Sequence, residues 1–308
     1  MPKRKTAEKN KAFIAISFLI AIIALLFSIF GNWNQIYELF GLNENELFEA
    51  SEGVSVHFID VGQGDCALII TPENNILIDS GERDYCNAVL NYLKTQNVKK
   101  LDFVIASHPH SDHIGGLGFI IDELGAERII MPDVKDELVP TTSSFNKLID
   151  SIYENDTEVI YAKNGMTFNL GNGAEMEIIA PVNDYNNLND YSVVMRFTYA
   201  GNSFLFTGDI ENAAENDILD GGYHISADVL KIAHHGSSTS SSARFLNQTG
   251  GQFAVICVGS PNSYNHPNEK VIDRILNRDY KIFRTDINGH IVFDCTKDGL
   301  QVHIQKEM

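Results

Sequence analysis

Short segments with the alternation of apolar and polar positions typical of strands recur along residues 53–308, interspersed with segments of helical spacing. Glycine and proline clusters, such as those around residues 62–64 and 72–74, separate them as turns. Strands are predicted at residues 54–59, 66–70, 75–78, 101–106, 127–131, 157–162, 166–170, 175–179, 192–199, 203–206, 229–233, 253–258, 282–283, 290–293 and 300–304. Helices are predicted at residues 86–96, 114–124, 144–154, 211–219, 243–248 and 268–276. Periodicity alone indicates an α/β or α+β fold.

An uncharged apolar run stands apart at residues 13–30, where Ser17 and Ser28 are the polar positions. Extended to residues 12–31, a helix there is just long enough to span a bilayer. Basic residues precede the run in residues 1–11, and acidic residues follow it in the predicted linker, residues 32–52. Positive-inside logic predicts a single-pass anchor in the cell membrane, a cytoplasmic N-terminus and an extracytoplasmic domain over residues 53–308. The alternative is a cleaved signal peptide, but residues 30–33 match a cleavage site poorly.

The formal net charge is −18. Residues 1–11 contribute +4, so the remaining chain carries −22. Such an acidic domain is not suited to tight, non-specific clamping of a polyanion, although bound divalent cations would make a site locally positive. The cysteines are scattered without a CxxC motif, and Cys66 and Cys257 lie in apolar runs that indicate small buried side chains. A disulfide stays open for an extracellular domain.

The candidate chemistry concentrates in residues 108–113, which read His-Pro-His-Ser-Asp-His. His108 and His110 can grip one cation from a turn, and Asp112 with His113 can reach a second cation nearby. An apolar run at residues 101–106 precedes the motif and predicts a buried strand. Ligands at the carboxyl end of such a strand lie where α/β sheets open their binding sites. We therefore interpret this segment as metal-binding rather than as a merely histidine-rich loop.

The motifs resemble those of a known family. HxHxDH is the hallmark of the metallo-β-lactamase fold, and further blocks resemble the hydrolase domain of the ComEC/Rec2 competence proteins and its stand-alone relatives. Those blocks are residues 57–65 (HFIDVGQGD), 77–81 (LIDSG), 189–194 (NDYSVV), 207–209 (TGD) and 231–237 (KIAHHGS). The resemblance extends from about residue 53 to the end. It implies a four-layer αββα sandwich and a metal-dependent hydrolase, without naming a substrate.

The resemblance implies two divalent ions, zinc or manganese. A first ion would take His108, His110 and Asp209, and a second would take Asp112, His113, Asp209 and one of His234 and His235. Adjacent side chains on extended backbone point to opposite sides, so we expect one of the pair to ligate and favour His235. Many enzymes of this fold place a further histidine on the first ion, but none occurs between His113 and His224. The first site should then bind more weakly, and an oxygen-rich site favours manganese.

Residues around the ligands receive supporting predictions. Asp65, Asp79, Asn189 and Ser192 are expected to orient the ligands from behind, as the family blocks imply. Ser237 and Ser238, with free amides at the start of a helix, could hold a phosphate, and Lys231 could offset its charge. Asp112, His234 and His266 are the candidate catalytic residues, with His266 a possible acid for the leaving group. Each also has an ordinary structural alternative, such as a helix cap or a loop contact.

The resulting hypothesis is a membrane-anchored, extracytoplasmic, dinuclear hydrolase that cleaves phosphodiesters, with nuclease activity as the nearest family analogue. Its substrate would be single-stranded DNA or a phosphodiester-containing surface polymer. One alternative is a phosphorylcholine-type esterase, with Tyr185, Tyr191 and Tyr264 as candidates for an aromatic cage. Another is a non-catalytic module that binds a partner at the cell envelope. The lipid bilayer is the predicted partner of the N-terminal helix.

Overall fold

The computed structural model describes residues 53–306. The predicted segments 1–11, 12–31 and 32–52 lie outside the described residues. Within residues 53–306, no helix is long and apolar enough to cross a membrane. The strands are β1 Val54–Phe58, β2 Ala67–Ile70, β3 Asn75–Ile78, β4 Leu101–Ile105, β5 Ala126–Met131, β6 Glu158–Tyr161, β7 Thr167–Asn169, β8 Glu175–Ala180, β9 Val194–Tyr199, β10 Asn202–Phe206, β11 Val229–Lys231, β12 Phe253–Ile256, β13 Lys281–Arg284, β14 Ile291–Thr296 and β15 Gly299–Ile304.

The described α-helices are α1 Cys86–Thr95, α2 Ser111–Ile114, α3 Leu117–Leu124, α4 Ser143–Glu154, α5 Asn212–Asp220, α6 Ala243–Thr249, α7 Glu269–Leu276 and α8 Thr285–Asn288. The strands form an eight-stranded sheet of order β15-β14-β1-β2-β3-β4-β5-β6 and a seven-stranded sheet of order β13-β12-β11-β10-β9-β8-β7. Each sheet has a parallel half, β3 to β6 in one and β10 to β13 in the other. The carboxyl ends of these strands carry the motifs.

Three apolar clusters separate the layers. One lies between the sheets, where Phe58 stacks on Phe206 with ring centroids 5.6 Å apart and Phe204 meets Phe293 at 5.8 Å. A second cluster joins the eight-stranded sheet to α1, α3 and α4, and a third joins the seven-stranded sheet to α5, α6 and α7. Neighbouring strand residues divide between clusters, as Leu68 and Ile69 do, because strand side chains alternate between faces. The predicted four-layer sandwich is confirmed.

Two predicted elements are shorter than expected. The helix predicted at residues 114–124 is divided into α2 and α3 at Gly115 and Gly116. A Cβ on Gly115 would lie 2.5 Å from the Ser111 carbonyl oxygen and 2.6 Å from the Arg83 amide nitrogen, so this turn admits only glycine. The strand predicted at residues 229–233 ends at Lys231, and a short 3-10 turn follows at Ala233–Gly236. All four cysteines are described and free, so the disulfide alternative is not supported.

A buried imidazole on β1, away from the HxHxDH segment, makes stability depend on pH. His57 lies on β1 between the Ser55 hydroxyl and the Tyr92 hydroxyl, each 2.7 Å from a ring nitrogen. Burial, and then the nearby His290, lower the pKa of His57 to about 3. Since the unfolded chain titrates near the usual value of 6.5, the unfolded state binds more protons between about pH 6.5 and 3. The stability that the neutral ring contributes is therefore lost as the pH falls through that window.

We expect His57→Leu to unfold more easily than the wild-type chain at pH 7, because it loses two buried hydrogen bonds, by about 1–3 kcal/mol. The difference should shrink between pH 6.5 and pH 4, because only the wild-type chain must also keep the imidazole at residue 57 unprotonated. Urea unfolding of both chains in a chelating buffer measures this. A difference that stays constant or widens across this range would contradict the assignment.

Candidate metal centre

The HxHxDH segment leaves the carboxyl end of β4 and enters α2. His108 and His113 are fully buried, whereas His110 and Asp112 are partly exposed. The DVGQGD loop packs directly behind, where the Asp65 amide donates to the Asp112 carbonyl oxygen at 3.1 Å. A Cβ on Gly64 would lie 2.2 Å from that oxygen, and the φ of Gly64 is +137°, so the approach requires glycine. The two sequence blocks thus form one structural unit.

Hydrogen bonds behind the rings fix which nitrogen of three histidines faces the centre. The Nδ1 of His113 lies 2.8 Å from an Asp79 carboxylate oxygen, and that of His235 lies 2.9 Å from the Cys257 carbonyl oxygen. The Nδ1 of His108 lies 3.2 Å from the Ser107 hydroxyl and 3.3 Å from the Ser192 hydroxyl. With each Nδ1 so engaged, Nε2 is left to face inward as a lone-pair donor, the arrangement that metal ligands require.

Donor atoms of Asp112, His113 and His235 lie within 4.8 Å of one another, and Asp209 adjoins the two histidines. The Nε2 atoms of His113 and His235 lie 3.3 and 3.4 Å from Asp209 Oδ2. The Oδ2 of Asp112 lies 3.3 Å from His235 Nε2 and 3.9 Å from His113 Nε2. A tetrahedral zinc site with bonds of about 2.0–2.1 Å has donor–donor edges of about 3.3–3.4 Å. These residues therefore fit a divalent cation.

A second set of donors shares Asp209. His108 Nε2 is 2.9 Å from His110 Nδ1 and 4.0 Å from the same Asp209 Oδ2. The seryl hydroxyl of Ser192 lies behind His108 and also accepts from the Asp209 amide at 3.0 Å. This position thus has three protein donors, as expected from the missing further histidine.

The electrostatics of the buried groups also suit cations. Burial alone would lower the pKa of His113 and His235, but the surrounding carboxylates, above all Asp209, raise it well above its usual range. Burial alone would raise the pKa of Asp209, but these same two histidines hold it well below its usual range. The inward Nε2 atoms of His113 and His235 are buried and have no hydrogen-bond partner. Both observations match a centre that binds positively charged ions.

The backbone at the histidine pair differs from the prediction. His234 and His235 have φ angles of +52° and +51°, a left-handed conformation rather than an extended strand. The argument from opposite faces of a strand is therefore wrong in its premise. The two rings still separate: His235 is buried against Asp112 and Asp209, whereas His234 is partly exposed. Its Nδ1 lies 3.3 Å from a Glu211 carboxylate oxygen.

Lys231 corrects a sequence-based prediction. Its side chain is only 3 % exposed, forms an ion pair with Asp65 and donates to the Gly208 carbonyl oxygen at 3.0 Å. Burial alone would lower its pKa, but Asp65 and Asp209 raise it above the usual range. Lys231 is thus an internal counter-ion and does not face a substrate. Asp65 also lies 3.3 Å from His235 Nδ1, on the side of the ring away from Asp112 and Asp209.

The serine-rich loop also departs from expectation. The amides of Ser241 and Ser242, at the start of α6, both donate to the buried carboxylate of Glu215, so they are not free to hold a phosphate. Ser237 is buried with its hydroxyl 3.0 Å from that of Thr239, while Ser238 is exposed. The premise of free amides at this helix start is therefore wrong, while the prediction for the Ser238 hydroxyl stays a prediction. Sequence reasoning missed Glu215, because a glutamate within a predicted helix carries no local signal of its distant partners.

An open cavity of about 570 Å³ leads to the centre. Its lining includes His110, Asp112, Asn189, His234 and His266. His266 has no partner for its Nδ1, and the exposed ring of Tyr264 stacks on it at 5.8 Å. Tyr185 and Tyr191 instead pack in the apolar cluster beneath the seven-stranded sheet, so two of the three tyrosines of the suggested cage are not available.

The fold and the site define a class. The family model of the Metallo-beta-lactamase superfamily matches residues 59–260, and the chain belongs to that superfamily of metal-dependent hydrolases. Among solved structures, YhfI of Bacillus subtilis is similar with a TM-score of 0.52 and 16% identity, covering 79% of this chain and 100% of that one. The diiron beta-hydroxylase CmlA of Streptomyces venezuelae has a TM-score of 0.53 and 11% identity, covering 78% and 54%. At these identities the likeness shows the fold alone.

Among curated proteins, competence proteins are similar. ComE operon protein 3 of Bacillus subtilis is 28% identical over 268 residues, 79% of this chain and 33% of that protein. Competence protein ComA of Neisseria gonorrhoeae is 28% identical over 248 residues, covering 79% and 32%. The chain thus spans about one third of the length of these relatives. The resemblance drawn from the motifs is confirmed.

The histidine pair supplies a matched test of the metal position at Asp112. After equilibration with zinc or manganese and removal of free ions, we expect His235→Ala to lose about one ion per chain, because that position is left with three donors. His234→Ala should keep the ion at this position, since the donors grouped there are Asp112, His113 and His235 and the His234 ring contacts Asp209 and Glu211 instead. Elemental analysis by mass spectrometry measures the stoichiometry. Loss in the His234 variant alone would reverse the assignment.

Proposed function

We propose that the protein is a dinuclear metal-dependent phosphodiesterase that resembles the hydrolase domain of competence proteins. One observation carries the proposal. Asp209 Oδ2 lies near donor atoms of two sets of residues, and both sets adjoin an open cavity. One set is His108, His110 and Asp209, and the other is Asp112, His113, His235 and Asp209. A carboxylate between two such sets is the arrangement that a pair of divalent cations requires.

The chemistry then divides between the ions and the chain. When bound, two divalent cations supply Lewis acidity and a water of lowered pKa, which suits in-line displacement at a phosphodiester. Asp112 and Asp209 are the carboxylates that would hold the two cations in place. His234, on the open side, is backed by Glu211 at 3.3 Å and can hold a proton for the leaving alkoxide.

For His266 we propose a role other than the leaving-group acid that the sequence suggested. Burial first, and then the neighbouring His234 and His235, lower the pKa of its imidazole. A neutral imidazole at neutral pH accepts a proton or a hydrogen bond rather than donating a proton to the leaving group. We therefore assign the acid to His234 and a hydrogen-bonding position on substrate to His266. Asn189, whose buried Oδ1 has no partner, lines the same cavity.

Single-stranded DNA and phosphodiester-containing surface polymers remain the proposed substrates. The similarity to competence proteins supports the first, and the acidic charge of the domain supports a substrate of low charge density. A phosphorylcholine-type esterase is the weaker alternative, because Tyr185 and Tyr191 are buried away from the cavity. A non-catalytic envelope module is disfavoured by the convergence of the donor atoms.

For location, we propose a single-pass anchor at residues 12–31, an N-terminus in the cytoplasm and a hydrolase domain outside the cell. The basic residues before the apolar run and the acidic ones after it support this orientation. The lipid bilayer is then the partner of the N-terminal segment. The domain would acquire zinc or manganese outside the cytosol.

The full-length chain, purified with zinc or manganese, should hydrolyse bis(p-nitrophenyl) phosphate or single-stranded DNA. Asp209→Ala and His110→Ala should each lower kcat/KM by about 100-fold or more, because the loss of charge stabilisation at the reacting centre is of this size. His224→Ala, an exposed histidine away from the cavity, is the control and should be fully active. Equal activity in all four proteins would exclude this centre as the source. Comparison with p-nitrophenyl phosphorylcholine ranks the substrates.

Topology has its own test. Protease added to intact cells, after removal of any cell wall, should digest residues 53–308 while an epitope placed before residue 11 stays protected. Basic residues resist transfer across the membrane, which is why the short N-terminal segment should be retained inside. Immunoblots for both ends record the outcome. Digestion of the domain only after lysis would reverse the orientation and exclude a surface polymer as substrate.

A further inference from the structure

A second cavity adjoins the metal centre but belongs to a different part of the fold. It measures about 680 Å³, within the range of small-molecule sites, and lies between α4, the edge strand β6 and the loop that precedes α4. His108 and Pro109 form part of its wall, and Pro109 also lines the cavity of the metal centre. A ligand bound here would therefore lie directly beside the candidate metal ligands.

The cavity collects exposed apolar surface. Of the nine large hydrophobic side chains that are exposed within residues 53–306, five line it. They are Val139, Ile149, Tyr153, Val159 and Tyr161. Tyr153 is 84 % exposed, an unusual position for an aromatic ring. Isolated exposed apolar residues need no explanation, but a cluster around a concavity marks a binding surface.

The charged residues in the lining are all acidic. Asp133, Asp136 and Asp156 are exposed, and none of them forms an ion pair with any residue of the described range 53–306. Other acidic residues nearby do find partners: Asp122 pairs with Lys147, and Glu123 pairs with Lys94 at 2.7 Å. No lysine or arginine lines the cavity. The nearest basic residue in the same loop, Lys135, donates instead to the Tyr185 carbonyl oxygen, so the lining itself is acidic.

This combination selects one kind of occupant. Anions and a nucleic-acid backbone would be repelled by three carboxylates. A second copy of the chain would bring the same acidic residues against them, so like charges would oppose each other. A cation with an apolar body satisfies both features, because its charge faces the carboxylates and its ring or alkyl groups cover the apolar wall. Tyrosine faces at Tyr153 and Tyr161 add cation–π attraction.

We propose that this cavity is a binding site for a small apolar cation, a compound that carries one quaternary or alkyl ammonium group on an aromatic or aliphatic body. The site does not depend on the proposed phosphodiesterase activity, and its ligand need not be the substrate.

Benzyltrimethylammonium is the probe, with benzyl alcohol as its uncharged counterpart and phenylacetate as the anion. Titrations of the full-length chain, in a non-ionic detergent where needed, follow the methyl signals of Ile149 and Val159 by NMR. We expect saturable shifts with the ammonium probe and none with phenylacetate. Shifts with phenylacetate that equal those with the ammonium, or no saturable shift with the ammonium, would overturn the proposal.

Substitutions on the surface separate the charge from the apolar wall. Asp133→Asn with Asp156→Asn should weaken the ammonium probe by about three- to ten-fold while benzyl alcohol is unaffected. Glu154→Gln removes one charge at the end of α4, two residues before Asp156 but outside the lining, and is the control. Asn tolerates the left-handed backbone of residue 156, where φ is +51°, so that change is not expected to strain the fold.

Tyr153→Ala should weaken the ammonium probe by about two- to five-fold, the size of an exposed cation–π contact. Tyr264→Ala, at the exposed tyrosine of the metal-centre cavity, should leave it unchanged. Equal losses in the Glu154 and aspartate variants would mean that general surface charge attracts the probe. Loss in the Tyr264 variant alone would place the probe at the metal centre. Either result would overturn the site.

Discussion

The structure depends on how buried negative charge is balanced at one edge of the sandwich. Asp65, Asp79 and Asp209 are almost fully buried, and Asp112 lies beside them. An isolated buried carboxylate is costly, so each must have a partner. Lys231 neutralises Asp65, while the Ser107 amide and hydroxyl and the His113 ring bind Asp79. What stays open is the inward side of Asp209 and Asp112, facing imidazoles whose nitrogens lack partners.

That balance explains several conformations that would otherwise be unfavourable. Asp79, His234 and His235 all have positive φ, between +51° and +55°, although none is glycine. Such conformations persist where the surroundings determine them strongly, and they cluster at functional sites. Here the compensation comes from the hydrogen bonds of Asp79 to Ser107 and of His235 to Cys257. Of these three positions, His235 turns its ring into the centre, while Asp79 supports His113 from behind.

The two cavities at this edge of the molecule differ in the chemistry of their linings. The metal-centre cavity is lined by histidines and by residues that could hold cations, which suits a substrate with anionic oxygens. The neighbouring cavity is apolar with an acidic lining. Pro109 separates them. Because both cavities open around the loop that follows β4, one short segment shapes the metal ligands and the wall of the apolar site together. A change in this loop would therefore affect both.

Local sequence determined the elements and the principal site residues. The spacing of apolar residues depends only on neighbouring positions in the chain. The bounds of strands such as β4 and β10 and of helices such as α4 were therefore predicted to within two residues. The HxHxDH motif and Asp209 stood out for the same reason, since their residue types and flanking strands lie close together in the chain. The family resemblance supplied the sandwich that periodicity alone left open.

Only the tertiary structure decided which groups oppose one another. Lys231 meets Asp65 across 166 positions of sequence and Ser192 reaches His108 across 84, so neither burial nor partner could be inferred locally. The same holds for Glu215 of α5, which accepts from amides at the start of α6, and for the apolar cavity, whose walls come from separate elements. The left-handed turn at His234 and His235 follows from packing after β11, which no propensity encodes. Sequence therefore specified the ligand types, while long-range packing chose their orientation, charge balance and neighbours.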